Sequence, residues 1–375
     1  MIPNAALTPA ASGSDPVPVR QTIHFGLLDG LRGIAAIAVV LMHIGEIFLL
    51  RDWLPQAYLA VPFFFVLSGF VISYAYEDGL MRTGSLRQFG RVRIERLYPL
   101  LLVGLCLGAL LLIIKAFFGD DRFSFPILVG MIVAALAMIP LPGPAAFTIL
   151  PPQWSLAIEL WGNVVHFALR RWISIARLVL VLPFLFVLMA ATAFAFGGVG
   201  TGWNLGNIVG GIATFAFCYG AGILIHHLWK QKRLPRLRAS VWGIAALLIA
   251  SLVLPQALRT PANAVRDILC AGLLYPLLLT AAIQVEPGVR LRAISDWLGR
   301  LSYPLYITHF PIVSFCCLAL LRFDLPRWAF YASIVPIAGV AIAAAWLALT
   351  RIDEPARRWI KQSRKARREP SAGPA

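Results

Sequence analysis

The sequence predicts an all-α fold: a polytopic transmembrane bundle of about ten spanning helices, with one additional short segment that does not cross. Two observations favour this fold. The 375 residues are 59% hydrophobic and only 13% charged, whereas soluble domains carry roughly 25% charged residues. Apolar windows of the length that a bilayer requires also recur along the whole chain. The polar breaks between these windows are short, so we expect no sizeable soluble domain.

Eleven apolar windows are candidates for the helices. They cover residues 34–50, 57–76, 97–118, 126–141, 153–169, 178–197, 205–228, 239–257, 267–285, 301–321 and 328–350. We therefore interpret residues 23–350 as one integral membrane domain. Residues 1–22 are rich in proline, alanine and serine without an apolar core, which indicates a flexible tail and not a signal peptide. Residues 351–375 form a basic tail.

The positions of lysine and arginine predict the orientation. The net charge of +16 is concentrated in short loops and the C-terminal tail, which normally face the cytoplasm. We expect both termini on that side, in the cell inner membrane, and no nucleic-acid partner. Three windows lie between the basic residues Arg96 and Arg170. If both residues face the cytoplasm, the chain must cross the membrane an even number of times between them, so one window does not cross. The short 126–141 window, which prolines end, is therefore expected to be re-entrant or tilted.

Ionisable side chains deep in a span are costly, so they are candidates for function. His43 lies eleven residues after Arg32, a rise of roughly 16 Å along a helix, which places it near the middle of the bilayer. Glu159 descends from the opposite side to a similar depth, and His309 lies about 12 Å into its own span. Each of the three could instead be a buried polar group that only joins helices.

Other polar residues have simpler interpretations. Glu46 shares a helix face with His43 but lies close to the outer end, where water can solvate it. Asp29 is expected to cap the first helix, and the three histidines His166, His226 and His227 are expected at the membrane interface. The five cysteines lie in or beside apolar runs without metal-ligand spacing, so no metal site is expected.

Two arginines before the third window could bind phosphate. Arg93 and Arg96 are three residues apart and project from one helix face, where their guanidinium groups suit phosphate oxygens. The positive charge of cytoplasmic loops explains them equally well.

Five segments together resemble the membrane-bound acyltransferase family 3. They occur in the family's order between about residues 28 and 310 and read LDGLRGIAAIAVVLMH, FFFVLSGFVIS, RVRIERLYP, WSLAIE and LGRLSYPLYITHFP. Members of that family transfer acyl groups, commonly acetyl, from cytoplasmic acyl-CoA to hydroxyls of glycans or small molecules. The resemblance implies that residues 23–350 are an acyltransferase domain, with acyl-CoA as co-substrate and no permanently bound cofactor.

The resemblance also implies roles for particular residues. Arg32 and His43 match the arginine and histidine of the first span, Arg93 and Arg96 match the family's paired arginines, and Glu159 matches the acidic residue of the WS motif. Trp154, Ser155 and His309 are implied substrate contacts. Leu160, Trp161 and Gly162 depart from the acidic and aromatic residues that often follow the glutamate, which leaves the acceptor side undefined.

The resulting hypothesis is acyl transfer inside the membrane. Arg93 and Arg96 would hold the donor phosphates, Arg32 would hold a phosphate or stabilise an oxyanion, and His43 would act as general base, oriented by Glu159. A transient acyl-histidine is an open alternative. Two other classes also remain open: a proton-coupled transporter or flippase of glycan-like substrates, and a membrane scaffold.

Overall fold

The chain folds into a bundle of helices. The computed structural model describes residues 23–50, 53–118, 124–254 and 261–368, which contain no β-strand. The α-helices are α1 (Gly26–Ile47), α2 (Ala60–Tyr76), α3 (Leu86–Phe117), α4 (Phe125–Leu136), α5 (Gln153–Leu169), α6 (Ile175–Phe196), α7 (Ile208–Lys230), α8 (Val241–Val253), α9 (Pro261–Leu269), α10 (Tyr275–Ala282), α11 (Val289–Leu320), α12 (Arg327–Ala348) and α13 (Glu354–Arg368). Single π-helical turns join α9 to α10 and α12 to α13. The predicted all-α fold is confirmed.

Eight continuous helical stretches of the described residues are long and apolar enough to cross a membrane, with α2 counted together with its flanking turns, α9 together with α10, and α12 together with α13. The chain is a multi-pass membrane protein. The short window expected not to cross became α4, whose 12 residues rise only about 18 Å against a hydrocarbon core of about 30 Å. Helices α5, with 17 residues, and α8, with 13, are also short. The expected flexible tail at residues 1–22 and the end of the 239–257 window lie outside the described residues.

The two ends of the described chain lie at the same end of the bundle. At the start of the chain, His24 lies 3.8 Å from Asp296 at the beginning of α11. In α13, Arg364 binds Glu95 of α3 at 2.7 Å. Residues 351–368 of the predicted basic tail are helical and continue from α12.

Small residues set the closest helix contacts. A Cβ atom added to Gly69 of α2 would overlap the carbonyl oxygen of Tyr219 in α7, and one added to Gly222 would overlap the carbonyl oxygen of Val66. Such small residues let membrane helices approach closely. The pair therefore fixes α2 against α7, and α2 carries part of the wall described below.

Replacing Gly69 by alanine is expected to destabilise the protein by about 1–3 kcal/mol, the usual cost of overpacking. The added methyl group has backbone atoms as neighbours, which cannot rotate away. Thermal unfolding of the purified protein in detergent measures the effect. Gly339→Ala on α12 is the matched control, since no atom lies within 4 Å of its Cβ position. Equal melting temperatures for the two variants would refute the packing argument.

Candidate functional site

A cavity of about 600 Å³ opens between α1, α2, α3, α5, α11 and the junction of α12 with α13. Along α11, its lining residues run from Asp296 to Tyr306, a rise of about 15 Å. Charged side chains line the end near Asp296. Phe64, Ser155 and Tyr306 line the other end, so the cavity passes from a charged mouth to a deeper, mostly apolar end.

Arg32 is fixed at the wall of this cavity by three contacts. Its side chain donates to Asp29 at 2.8 Å, to the Ser302 hydroxyl at 2.8 Å and to the carbonyl oxygen of Gly299 at 2.9 Å. A Cβ on Gly299 would crowd Asp29, so the glycine permits the approach of α1 to α11. Asp29, expected as a helix cap, instead binds Arg32 and His24.

Glu159 also lies in the cavity wall, where three helices meet. Its Oε1 accepts from Arg93 of α3 at 3.0 Å and from the hydroxyl of Ser68 in α2 at 2.7 Å. Arg93 is only 3% exposed, and its Nε has no hydrogen-bond partner among the described residues. The expectation that Glu159 orients His43 is wrong in this structure, because the buried arginine holds the carboxylate at the cavity instead.

The mouth of the cavity contains further arginines, of which most are neutralised. Arg300 binds Glu354 at 2.5 Å and Arg357 binds Asp353 at 2.7 Å. Arg96 lines the same mouth, is exposed, and has no carboxylate within ion-pair distance among the residues that the structure describes. Arg96 is therefore the guanidinium group that is available for an incoming anion.

His43 lies beyond the deep end of the cavity and forms a group with two other side chains. Its Nδ1 is 2.7 Å from Oε2 of Glu46, and its ring stacks on the ring of His309 with centroids 5.3 Å apart. The Glu46 side chain is 58% exposed and that of His43 is 18% exposed. The carboxylate partner of His43 is thus its neighbour on α1, so the interpretation of Glu46 as merely solvated is wrong.

His309 is completely buried between α11 and α1. Its Nδ1 donates to the carbonyl oxygens of Leu305 and Tyr306, each at 2.9 Å. These contacts leave its Nε2 as the unprotonated nitrogen, and Nε2 has no hydrogen-bond partner among the described residues.

One aromatic layer separates His43 from the cavity. Tyr306 lines the cavity, and its ring centroid lies 6.2 Å from that of His309. Phe64 contacts Tyr306 edge-on at 5.7 Å. Neither His43 nor His309 belongs to the cavity lining, so the structure places the two histidines behind these rings and away from the arginines.

The WS motif contributes one cavity residue. Ser155 lies 2.7 Å from the Tyr306 hydroxyl and lines the cavity, whereas Trp154 packs against Phe65 and the backbone of Gly202 outside it. Sequence reasoning missed Ser68, Tyr306 and Ser302 as polar contacts in the wall. The sequence pattern that could have identified them is a hydroxyl side chain within an apolar segment that also contains glycine or proline.

The three histidines expected at the membrane interface form one cluster that is largely buried within the bundle. His166 and His226 are each 3% exposed, and both lie beside Glu77 together with His227. These imidazole rings from α5 and α7 can be buried because the Glu77 carboxylate at the end of α2 gives them a polar partner inside the bundle.

Comparisons with known proteins agree with this geometry. The family model Acyl_transf_3, described as an acyltransferase domain, matches residues 25–350. A protein of Rhizobium radiobacter, "Protein 2 in picA locus", is 36% identical over 169 residues, which cover 40% of this chain and 82% of that protein. "Peptidoglycan O-acetyltransferase OatA" of Listeria monocytogenes is 26% identical over 319 residues, or 76% of this chain and 49% of the relative.

A third relative aligns over a shorter stretch. "O-acetyltransferase OatA" of Staphylococcus aureus is 35% identical over 81 residues, which cover 21% of this chain and 13% of that protein. The chain thus spans about half the length of the Listeria relative and a smaller part of the Staphylococcus one. No solved structure matches the chain.

Proposed function

Because the chain belongs to acyltransferase family 3 and is an acyltransferase, we propose that it moves an acetyl group from cytoplasmic acyl-CoA to a hydroxyl of a saccharide. The observation that carries the proposal is the cavity of about 600 Å³ with arginines at its mouth and an apolar end next to two histidines. Two relatives are named as O-acetyltransferases, which supports acetyl as the group and a hydroxyl as the acceptor.

The donor fits the cavity in one direction. A nucleotide that carries several phosphates needs cationic partners. Arg96 lines the mouth, and no described carboxylate neutralises its guanidinium group. The Nε of Arg93, buried without a partner, offers a second donor deeper in the wall. The thin thioester arm would then extend about 15 Å along α11 to Ser155 and Tyr306.

The mouth is proposed to face the cytoplasm. It lies at the same end of the bundle as the basic segments around Arg96 and Arg357, and such short basic segments are usually cytoplasmic. Both ends of the described chain are also there, so both termini would lie inside the cell. Glu46, at the other end of α1, would then face the outer side of the inner membrane.

His43 would activate the acceptor. Oε2 of Glu46 accepts a hydrogen bond from Nδ1 of His43. This leaves the lone pair on Nε2 free to take a proton from a hydroxyl, as in a base oriented by a carboxylate. The hydroxyl oxygen then attacks the thioester carbon, the C–S bond breaks, and the proton passes from His43 to the departing CoA thiolate. Tyr306 and Phe64 must move for the thioester to meet His43.

Transfer of label from acetyl-CoA by the purified protein tests the proposal. Labelled acetyl-CoA is incubated with a peptidoglycan-derived saccharide, and products are analysed by mass. We expect an acetyl ester on the saccharide and release of free CoA. A saccharide that crosses a vesicle membrane without gaining mass would identify a transporter instead and would overturn the proposal.

Replacing Arg96 by alanine should weaken donor use selectively. Loss of one charge-assisted contact to a phosphate costs about 1.5–3 kcal/mol, so we expect KM for acetyl-CoA to rise about 10- to 100-fold. The side chain is exposed, so the melting temperature should not change. Arg91→Ala on the same helix is the matched control, because Arg91 is exposed, binds Glu95 and does not line the cavity. The same KM in both variants would argue against donor docking at the mouth.

A further inference from the structure

A second polar site lies in the bundle outside the cavity. The carboxylate of Glu77, in the π-helical turn Glu77–Met81 that ends α2, is approached by imidazole nitrogens from two helices. His226 and His227 belong to α7 and His166 to α5. None of these four residues lines the cavity, and the acyl transfer proposed above uses none of them.

The donor atoms are spaced as ligands of one ion. Nδ1 of His226 lies 3.4 Å from Oε2 of Glu77, and Nε2 of His227 lies 3.0 Å from the same oxygen. In a tetrahedral site with metal–ligand distances of about 2.0–2.1 Å, neighbouring ligand atoms are about 3.3 Å apart. The ligand atoms of the three residues all lie within 4.8 Å of one another, so small shifts would complete three corners of such a site.

A second observation points to a missing ligand. His226 is 3% exposed, and its Nδ1 has no well-formed hydrogen bond among the described residues, because its contact with Oε2 of Glu77 is 3.4 Å long. A buried nitrogen of this kind is costly unless it is bonded. The adjacent His227 keeps 20% of its side chain exposed, which gives an ion a route of entry.

Neighbouring side chains orient the Glu77 carboxylate, as side chains behind the ligands do in metal sites. Nε2 of His166 lies 3.2 Å from Oε1 of Glu77, the oxygen on the other side of the carboxylate. Nδ1 of His166 lies 2.9 Å from the Tyr219 hydroxyl, which donates to Asn163 at 2.8 Å. Chains of this kind, which orient a ligand from behind, are typical of metal sites.

We propose that Glu77, His226 and His227 bind one divalent transition-metal ion of the zinc class, with His166 as a positioning residue. Two imidazoles and a carboxylate are ligands that zinc accepts, and three protein ligands leave a fourth position open. The ion would tie the end of α2 to α7. This proposal departs from the sequence-based expectation of no metal site, which considered only the spacing of the cysteines.

Metal content and stability of the full-length protein in detergent test the site. The protein is stripped with a chelator, incubated with zinc chloride and desalted. We expect about one zinc per chain and a higher melting temperature with zinc than without. In His227→Ala we expect zinc affinity to fall at least 10-fold and the zinc-dependent rise in melting temperature to disappear.

His24→Ala is the matched control, because His24 belongs to a second cluster with metal-ligand spacing among the described residues, formed with Asp29 and Asp296. It should keep zinc and the stabilisation. Cobalt gives a second readout, since Co²⁺ in a tetrahedral site absorbs visible light, and this absorption should be lost in Glu77→Gln. Wild-type protein without zinc, equal zinc in the His227 variant, or zinc lost only in His24→Ala would each overturn the proposal.

Discussion

Alanine at position 43 is expected to reduce acyl transfer about 10²- to 10⁴-fold, the usual contribution of a positioned general base. That loss corresponds to about 2.7–5.4 kcal/mol of transition-state stabilisation. The physical reason is that the bond from Nδ1 to Glu46 leaves Nε2 of His43 as a proton acceptor, on a side chain that is 18% exposed. The rate of acetyl transfer at saturating acetyl-CoA measures the loss.

Two further variants make the result specific. Glu46→Gln keeps an oxygen that can accept from Nδ1 but removes the charge, so we expect a smaller loss than for His43→Ala. Glu46→Gln should unfold at the wild-type temperature, since Glu46 is exposed. His43→Ala loses ring contacts with His309 and Phe310, so its rate is measured at a temperature below its own unfolding midpoint. A His43→Ala variant that transfers acetyl at the wild-type rate would disprove the role. Labelled acetyl on His43 in the absence of acceptor would identify it as a nucleophile.

The second large effect is expected at Arg93. Replacing it by methionine leaves the Glu159 carboxylate without its cation in the wall of the cavity. Breaking a buried pair on one side costs about 3–5 kcal/mol, and we expect the low end because Ser68 still donates to Glu159. The melting temperature should fall clearly, and acetyl transfer should fall with it.

The double variant Arg93→Met with Glu159→Leu separates stability from function. Replacing both partners of a buried pair by apolar residues is often neutral for stability, so the melting temperature should recover. Donor use should not recover, because the Nε of Arg93 is the proposed phosphate contact in the wall. A double variant with wild-type KM for acetyl-CoA would show that the pair is only structural.

The sequence predicted the fold class, and several of the side chains that it singled out line the cavity. Composition and the apolar windows sufficed for the helical bundle, because helix length and polarity depend on local residues and the thickness of the bilayer. Depth along a helix, from rise per residue, also placed His43 and Arg32 about 16 Å apart on α1.

The pairing of charged groups could not be predicted in the same way. Glu159 and His43 were expected to meet because they reach similar depths, but depth does not fix the angular position of a residue around its helix or which helices are neighbours. In the structure Glu159 faces Arg93 and Ser68. The cluster around Glu77 was missed for the same reason, since His166 and His227 are 61 residues apart along the chain and meet only through the packing of α5 and α7 against α2.

In the proposed reaction the donor reaches His43 from the Arg96 end of the bundle, and the acceptor reaches it from the Glu46 end. Proteoliposomes with the protein in one known orientation test it most directly, with labelled acetyl-CoA on the side of Arg96 and a membrane-impermeant saccharide on the side of Glu46. We predict acetylated saccharide on the Glu46 side and free CoA on the Arg96 side, and neither product with His43→Ala. Acetylation that occurs only when both substrates are on one side would contradict the account.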